Sequence, residues 1–263
     1  MKKSDLAIKV WHGLTFPNPF YDSGKMDSSA KDAAAQIRKS GYVSLGKVVK
    51  DNDLLKIREA IDKMVIQGKS LYSSTSLYHL IPDPLLIKEL FDLANLPLVV
   101  QTAEAYFKRK VFLADVDSRR IPPVSMDEVE SNGLSSSNWH RDTRGRQVKM
   151  MIYLTDVGEE DSNFSFYPNT HDIVTYGYDN SRFEEEFSKS LPIEWYGSAG
   201  EAMMFDTNII HRLRRKALGR VRDSVTFYYT PGQHLRKIEI NKDWLSGKEK
   251  SFYLEAPFWS KRT

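Results

Sequence analysis

The texture of the chain changes near residue 110, and that change limits the folds open to it. Ahead of this point apolar residues recur at helical spacing. Behind it they gather in short β-branched and aromatic runs divided by turn signals. Helices first and strands later argue an α+β chain, mainly β in its core, built as an antiparallel sandwich or barrel. On the helical side, Ser28 or Ser29 is the expected cap of a helix over 30–39, with Gly41 past its end, and Tyr42-Val43-Ser44-Leu45 reads as a strand. Asp51 is the expected cap of the clearest helix, whose stripe is Leu54, Ile57, Ile61, Met64 and Val65 and which Gly68 stops. Asp83-Pro84 opens a helix running to residue 94, and Pro97 another running to residue 108. The strand candidates are 111–116, 148–155, 163–167, 202–205 and 224–230. Residues 119–137 read as a loop, 181–189 as a short acidic helix, and the stretch before residue 26, with Pro17, Pro19 and Gly24, as an irregular arm.

A chain of 263 residues with 41% hydrophobic and 12% aromatic content can bury a sizeable core. We expect one domain over 1–263: a helical part over about 27–108, a β core over about 110–232 and a C-terminal extension over 233–263. There is no cysteine, which excludes disulfides, thiolate metal sites and cysteine nucleophiles, so a metal must be held by His, Asp or Glu. The net charge of +3 is too small to mark a nucleic-acid binder. Asp5 and Lys9 interrupt any apolar stretch after Lys2 and Lys3, and no run approaches the roughly 20 apolar residues of a membrane span. The expected setting is the cytoplasm and the expected partner a small molecule, with the oligomeric state open.

The residues that carry chemistry are His140-Arg141-Asp142 and, well downstream, His211. Positions 140 and 142 leave the same face of a strand. With His211 from another strand, two imidazoles and one carboxylate converge. That ligand set is the facial triad of non-haem Fe(II) oxygenases, which leaves positions open for a cosubstrate and O2. Both histidines must be neutral to bind, so metal affinity is expected to fall below roughly pH 6. A His-x-Asp by itself is more often a surface loop. Here Trp139, the strand that follows, and the place of His211 between Phe205-Asp206 and a final strand favour a metal. His171 reads as structural, and His12, His79 and His234 have no supporting context. Of Arg212, Arg214, Arg215, Lys216, Arg220 and Arg222, four are expected in a solvated turn. The others, with Arg141, Arg144 and Arg146, would line a mouth that favours an anionic substrate. Tyr72, Tyr78, Trp195 and Tyr196 are expected in the core or at the rim.

Three segments carry a family resemblance: Asn138-Trp139-His140-Arg141-Asp142, Met151-Ile152-Tyr153-Leu154-Thr155-Asp156 and Tyr167-Pro168-Asn169-Thr170-His171. Gly200 to Asp206, His211, Arg222 and Tyr229-Thr230-Pro231 continue it in the same order. Together they resemble the phytanoyl-CoA dioxygenase-like family of Fe(II)/2-oxoglutarate oxygenases. The resemblance implies a double-stranded β-helix, a jelly-roll or cupin-like barrel with N-terminal helices packed on one side. It implies Fe(II), 2-oxoglutarate and O2 as cofactors, with His140, Asp142 and His211 as the metal ligands. It further implies hydroxylation of a small molecule, an anionic one being a candidate, with release of succinate and CO2. Arg222 is the residue it assigns to the distal carboxylate of 2-oxoglutarate, with Arg220 in reserve and Thr143 as a hydroxyl partner of the cosubstrate. Asn169 stands where the family has glycine, and Asn tolerates the left-handed backbone such a turn needs. Leu213 stands where several relatives have a serine touching the cosubstrate, and Asp142 argues against halogenation. Two other functions compete. A metal-bearing jelly roll that binds without turnover would need no carboxylate clamp such as Arg222, and a cupin-type metalloenzyme would use three or more histidines.

Overall fold

A computed structural model of the chain describes residues 26–74, 77–131, 137–142, 147–171, 191–216 and 219–231. The arm before residue 26, the acidic helix at 181–189 and the extension at 233–263 lie outside the described residues. So do His12, His234, Thr143, Arg144 and Arg146.

Helix α1 (Ser28–Ser40) is capped by Asp27, one residue ahead of the expected serines, whose carboxylate accepts the Ser29 N–H at 2.8 Å. It buries Ala30, Ala33, Ala34 and Ile37 and ends at Gly41, where φ is 88°. A side chain at that point would strike His171. Strand β1 (Tyr42–Lys47) follows. Helix α2 (Asp51–Ile66) buries Leu54, Ile57 and Ile61, with Met64 and Val65 half-buried against the same core. Asp51 is its first helical residue and not its cap, which is Lys50, and its carboxylate pairs with Lys47 at 2.6 Å.

A hairpin of β2 (Leu71–Ser73) and β3 (Tyr78–Ile81) comes next, in a region expected to be helical. The helix expected from Pro84 to residue 94 is divided. A 3-10 turn (Pro84–Leu86) gives way at Ile87, which is extended at φ −88° and ψ 114°, and α3 runs over Lys88–Ala94. The break lets Leu85, Ile87 and Leu90 all reach the core. Helix α4 (Pro97–Phe107) starts on its proline.

Strand β4 (Phe112–Ile121) outruns the expected strand, and the expected loop after it contains α5 (Met126–Ser131). The two arginines that disguised the end of β4 each find an acid there: Arg119 pairs with Asp117, and Arg120 with Asp223. The remaining strands are β5 (Val148–Tyr153), β6 (Asn163–Tyr167), β7 (Ile193–Trp195), β8 (Glu201–Asp206), β9 (Ile210–Arg214) and β10 (Arg222–Thr230).

Strands β1-β8-β5-β10-β4-β3-β2 form a seven-stranded sheet and β7-β6-β9 a three-stranded one. All the pairings are antiparallel. Alternation along the strands divides the core in two. Met150, Ile152, Val225, Phe227 and Tyr229 face α1–α4, packing with Ile37, Ile57, Leu90 and Tyr106. Met151, Tyr153, Met203 and Phe205 face the other way and pack with Phe164 and Phe166 of the smaller sheet. Arg120 ties the helical layer to the large sheet. Its Nε and Nη2 donate to Asp223 at 2.8 and 2.7 Å, and Nη2 also donates to Asp62 of α2 at 2.5 Å. Among the described residues no helix is long and apolar enough to cross a membrane.

Candidate metal centre

The cavity lies between the two sheets, on the face of the larger one turned away from the helices. Its floor is read off the register. Arg222, Ser224, Thr226 and Tyr228 point into it from β10, Lys149 and Met151 from β5, and Asp117, Arg119 and Ile121 from β4. Phe164 and Leu213 cover it from the smaller sheet.

At one end His140, Asp142 and His211 each present a ligand atom, all within 4.8 Å of one another. His211 is buried on β9, opposite Phe166. His140 is not on a strand: it exchanges backbone hydrogen bonds with His211 alone, at 2.9 and 3.0 Å, as an isolated bridge. Asp142 follows in a bend. The expectation that one strand face presents both residues is therefore corrected, because the bend, not the pleat, turns the carboxylate toward both imidazoles. Trp139 anchors the segment, buried against Ile210 and against Tyr167 at 4.5 Å between rings, with the Arg212 guanidinium 4.2 Å from its indole. Arg141 donates to the Thr170 carbonyl at 2.7 Å.

Each histidine is oriented by the carbonyl two residues before it. His140 Nδ1 lies 2.7 Å from the Asn138 oxygen and His211 Nδ1 2.8 Å from that of Ile209. A carbonyl only accepts, so Nδ1 carries the proton and the Nε2 lone pair is left for the site. The Nε2 atoms lie 3.5 and 3.4 Å from the oxygens of Asp142. Burial pushes the His211 imidazole down, which keeps it neutral. Two bare nitrogens aimed at a carboxylate repel it unless positive charge lies between them. The donor set therefore fits a divalent cation, and its composition is that of the two-histidine, one-carboxylate iron sites.

Positive charge is present in another form. Lys149, unremarked in the sequence, pairs through Nζ with Asp142 Oδ2. Burial works against its ammonium, but Tyr228 and Asp142 hold its pKa above the ordinary lysine value. Burial likewise works against ionised Asp142, yet the Lys149 ammonium keeps it well below the usual carboxylate range. The signal for Lys149 was there to be found: it is the one charge in Val-Lys-Met-Met-Ile-Tyr.

Arg222 is buried at the other end of the cavity. Its Nη1 donates to the Ser162 carbonyl at 3.4 Å and its guanidinium lies 5.0 Å from the Tyr153 ring. Burial pushes its pKa down, and Nε has no partner among the described residues. Arg119 and Lys149 each have an acid, whereas Arg222 has no carboxylate among the described residues. Arg220 is turned elsewhere. Its side chain, 65% exposed, and its own N–H hold Asp161, and it is not on the cavity lining. That contact holds the Asp161 carboxyl down at about 2.

The expectation of a solvated turn for four of the six basic residues is corrected. Only Arg220 is exposed; Arg214 pairs with Glu194 at 3.2 Å and Arg215 is buried with Nη2 on the Leu77 carbonyl. His171 is buried and hydrogen-bonded to the Arg38 carbonyl at 3.0 Å, and His79 lies 3.1 Å from the Ser70 hydroxyl. Asn169 takes the left-handed backbone, at φ 63°. Trp195 stacks on Tyr153 at 4.1 Å, and Tyr78 lies beneath Arg119 at 4.6 Å.

The chain matches no protein-family model and no curated protein. Solved structures match it in fold. SnoN, a non-haem α-ketoglutarate-dependent epimerase from nogalamycin biosynthesis, is 16% identical over 78% of this chain and 82% of its own, with a TM-score of 0.61. HygX from Streptomyces hygroscopicus, solved with nickel, 2-oxoglutarate and hygromycin B, is 13% identical over 82% of this chain and 94% of its own, with a TM-score of 0.58. EctD from S. alaskensis, solved with 2-oxoglutarate and 5-hydroxyectoine, is 14% identical over 89% of this chain and 90% of its own, with a TM-score of 0.63. At these identities the likeness is one of fold.

Proposed function

We propose that the chain is a non-haem Fe(II)/2-oxoglutarate-dependent dioxygenase that hydroxylates a small molecule, built as a single double-stranded β-helix domain of the phytanoyl-CoA dioxygenase-like type. The observation that carries the reading is the juxtaposition, in one cavity, of the His140–Asp142–His211 donor set and a buried arginine that has no carboxylate partner among the described residues. Solved 2-oxoglutarate enzymes of the same fold support it.

His140, Asp142 and His211 would hold the iron. Arg222 would bind the distal carboxylate of 2-oxoglutarate, for which a guanidinium offers a matching fork. Thr143, next to the aspartate in sequence, is assigned a hydrogen bond to the same cosubstrate. When bound, Fe(II) with 2-oxoglutarate and O2 supplies the oxidising power, the cosubstrate leaving as succinate and CO2. The chain's own residues do the rest. The Asn138 and Ile209 carbonyls keep both imidazoles in the tautomer that presents Nε2. Phe164, Phe205 and Leu213 contribute apolar surface to the cavity, which would help to keep water from the reacting atoms. Met151 Sδ, 3.5 Å from the guanidinium, is a weak acceptor that an incoming carboxylate would outcompete.

The test is anaerobic titration of Fe(II)-loaded protein with 2-oxoglutarate, followed by succinate release in air. Wild type should develop a weak visible charge-transfer band and release succinate. His140→Ala and Asp142→Ala should remain folded and lose turnover by about a hundredfold or more, since each removes a metal ligand. Variants that turn over at the wild-type rate would remove the triad from the mechanism. A wild type with no band would favour the binding-module reading.

A further inference from the structure

Lys149 has no task in that reading. It interrupts an otherwise apolar strand, and its register partners on either side are Phe205 and Tyr228. Its ammonium lies 4.2 Å from the Tyr228 ring and 6.0 Å from that of Phe205, and the side chain is 7% exposed. An ammonium at this depth is costly unless an acid meets it. The acid is Asp142, and the oxygen engaged is Oδ2, the one facing His211 Nε2 at 3.4 Å. The lysine therefore competes for the carboxylate that a metal ion would need.

We propose that Lys149 is a resident counter-cation of the metal centre: its ammonium neutralises Asp142 in the metal-free protein, and a divalent ion must displace it from Oδ2 in order to bind. The inference rests on the metal-centre reading above. Its physics is electrostatic. A carboxylate already shared with an ammonium is a weaker ligand, and two cations drawn to one oxygen in a cavity walled by aromatic rings repel each other strongly. With the lysine in place, the Asp142 oxygen nearest His211 is already engaged by a cation, and that engagement is set against metal capture. Lys149 is thus a positioning residue that acts through Asp142. Removing it should tighten metal binding, whereas a lysine that merely braced the site would loosen binding when lost.

The experiment uses the full chain, stripped of metal, and titrates Co(II) by calorimetry under nitrogen, with melting temperatures recorded with and without the ion. Wild type should bind one Co(II). Lys149→Met should bind it about tenfold or more tightly, the equivalent of about 1.4 kcal/mol or more. Its metal-free form should melt lower and its Co(II)-induced rise in melting temperature should be larger. Lys149→Gln serves the same purpose if the methionine variant does not fold, and Lys149→Arg, which keeps the charge, should stay close to wild type. If wild type binds one Co(II) and the folded Met or Gln variant binds it equally or more weakly, the counter-cation is refuted and the metal centre stands. If wild type binds no Co(II), the metal centre itself falls and takes the counter-cation with it.

Discussion

Arg222 shows most directly how a residue can be kept against the interest of stability. Its guanidinium is buried, burial disfavours its charge, and no carboxylate among the described residues compensates it. Arg222→Met should therefore leave the ligand-free protein as stable as wild type or stabilise it by about 1 kcal/mol. The same change should weaken 2-oxoglutarate binding about a hundredfold, because a buried charge-assisted pair is lost. Melting curves and calorimetric titration of the Co(II)-loaded protein with 2-oxoglutarate check the two halves separately. Loss of stability together with unchanged binding would make Arg222 a structural residue. At this scale His140, Asp142 and His211 stood out in the sequence as a candidate metal donor set, and Arg222 through the family resemblance. Lys149 and the Arg119–Asp117 pair did not. A single charge within a strand does not announce its partner, and Asp142 meets Lys149 only through a bend that no periodicity encodes.

Elements owe their place to alternation. On β4 and β10 neighbouring residues serve opposite faces: Arg119 and Arg222 enter the cavity, while Arg120 and Asp223 meet each other on the helical side. Asp223 is 1% exposed, so Arg120→Ala strands a buried carboxylate and should cost about 3–5 kcal/mol in urea unfolding. Asp62→Ala removes only the half-exposed end of the same network and should cost less than about 1 kcal/mol. Equal losses for the two changes would show that the helical tie, not the buried pair, carries the energy. The long apolar stripe of α2 was legible because it repeats over about three turns. The β2–β3 hairpin was not, since three- and four-residue strands are too short to show a period. Ile87 divided an expected helix for a reason the sequence hides, namely where the core lies.

Across the whole molecule, acid stability is set partly by a contact far from any proposed chemistry. Asp161, held by Arg220, has a folded pKa of about 2, below the roughly 3.9 of an unfolded aspartate. Its contribution is complete above about pH 4 and is lost as pH falls toward 2, because the unfolded chain takes up the proton first. Arg220→Ala should lower the urea midpoint at neutral pH and flatten its decline between pH 4 and 2, and parallel curves would show that Asp161 is held low by other groups. The α+β class was legible from the order of the helical and strand segments, but the sheet order was not. Strand β1 lies beside β8, pairing Tyr42 with Phe205, and nothing local links segments so far apart in the chain. The reciprocal bridge between His140 and His211 carries one more consequence. Two nitrogen donors are spaced by main chain before any ion arrives, so capture demands no reorganisation of them. Selection then follows the intrinsic ranking of divalent metals, in which copper, nickel and zinc outrank iron. If the proposed centre binds a divalent ion, protein recovered from an overproducing cell should carry whichever of these its medium supplied most freely, and ferrous reconstitution would have to begin by stripping that occupant out.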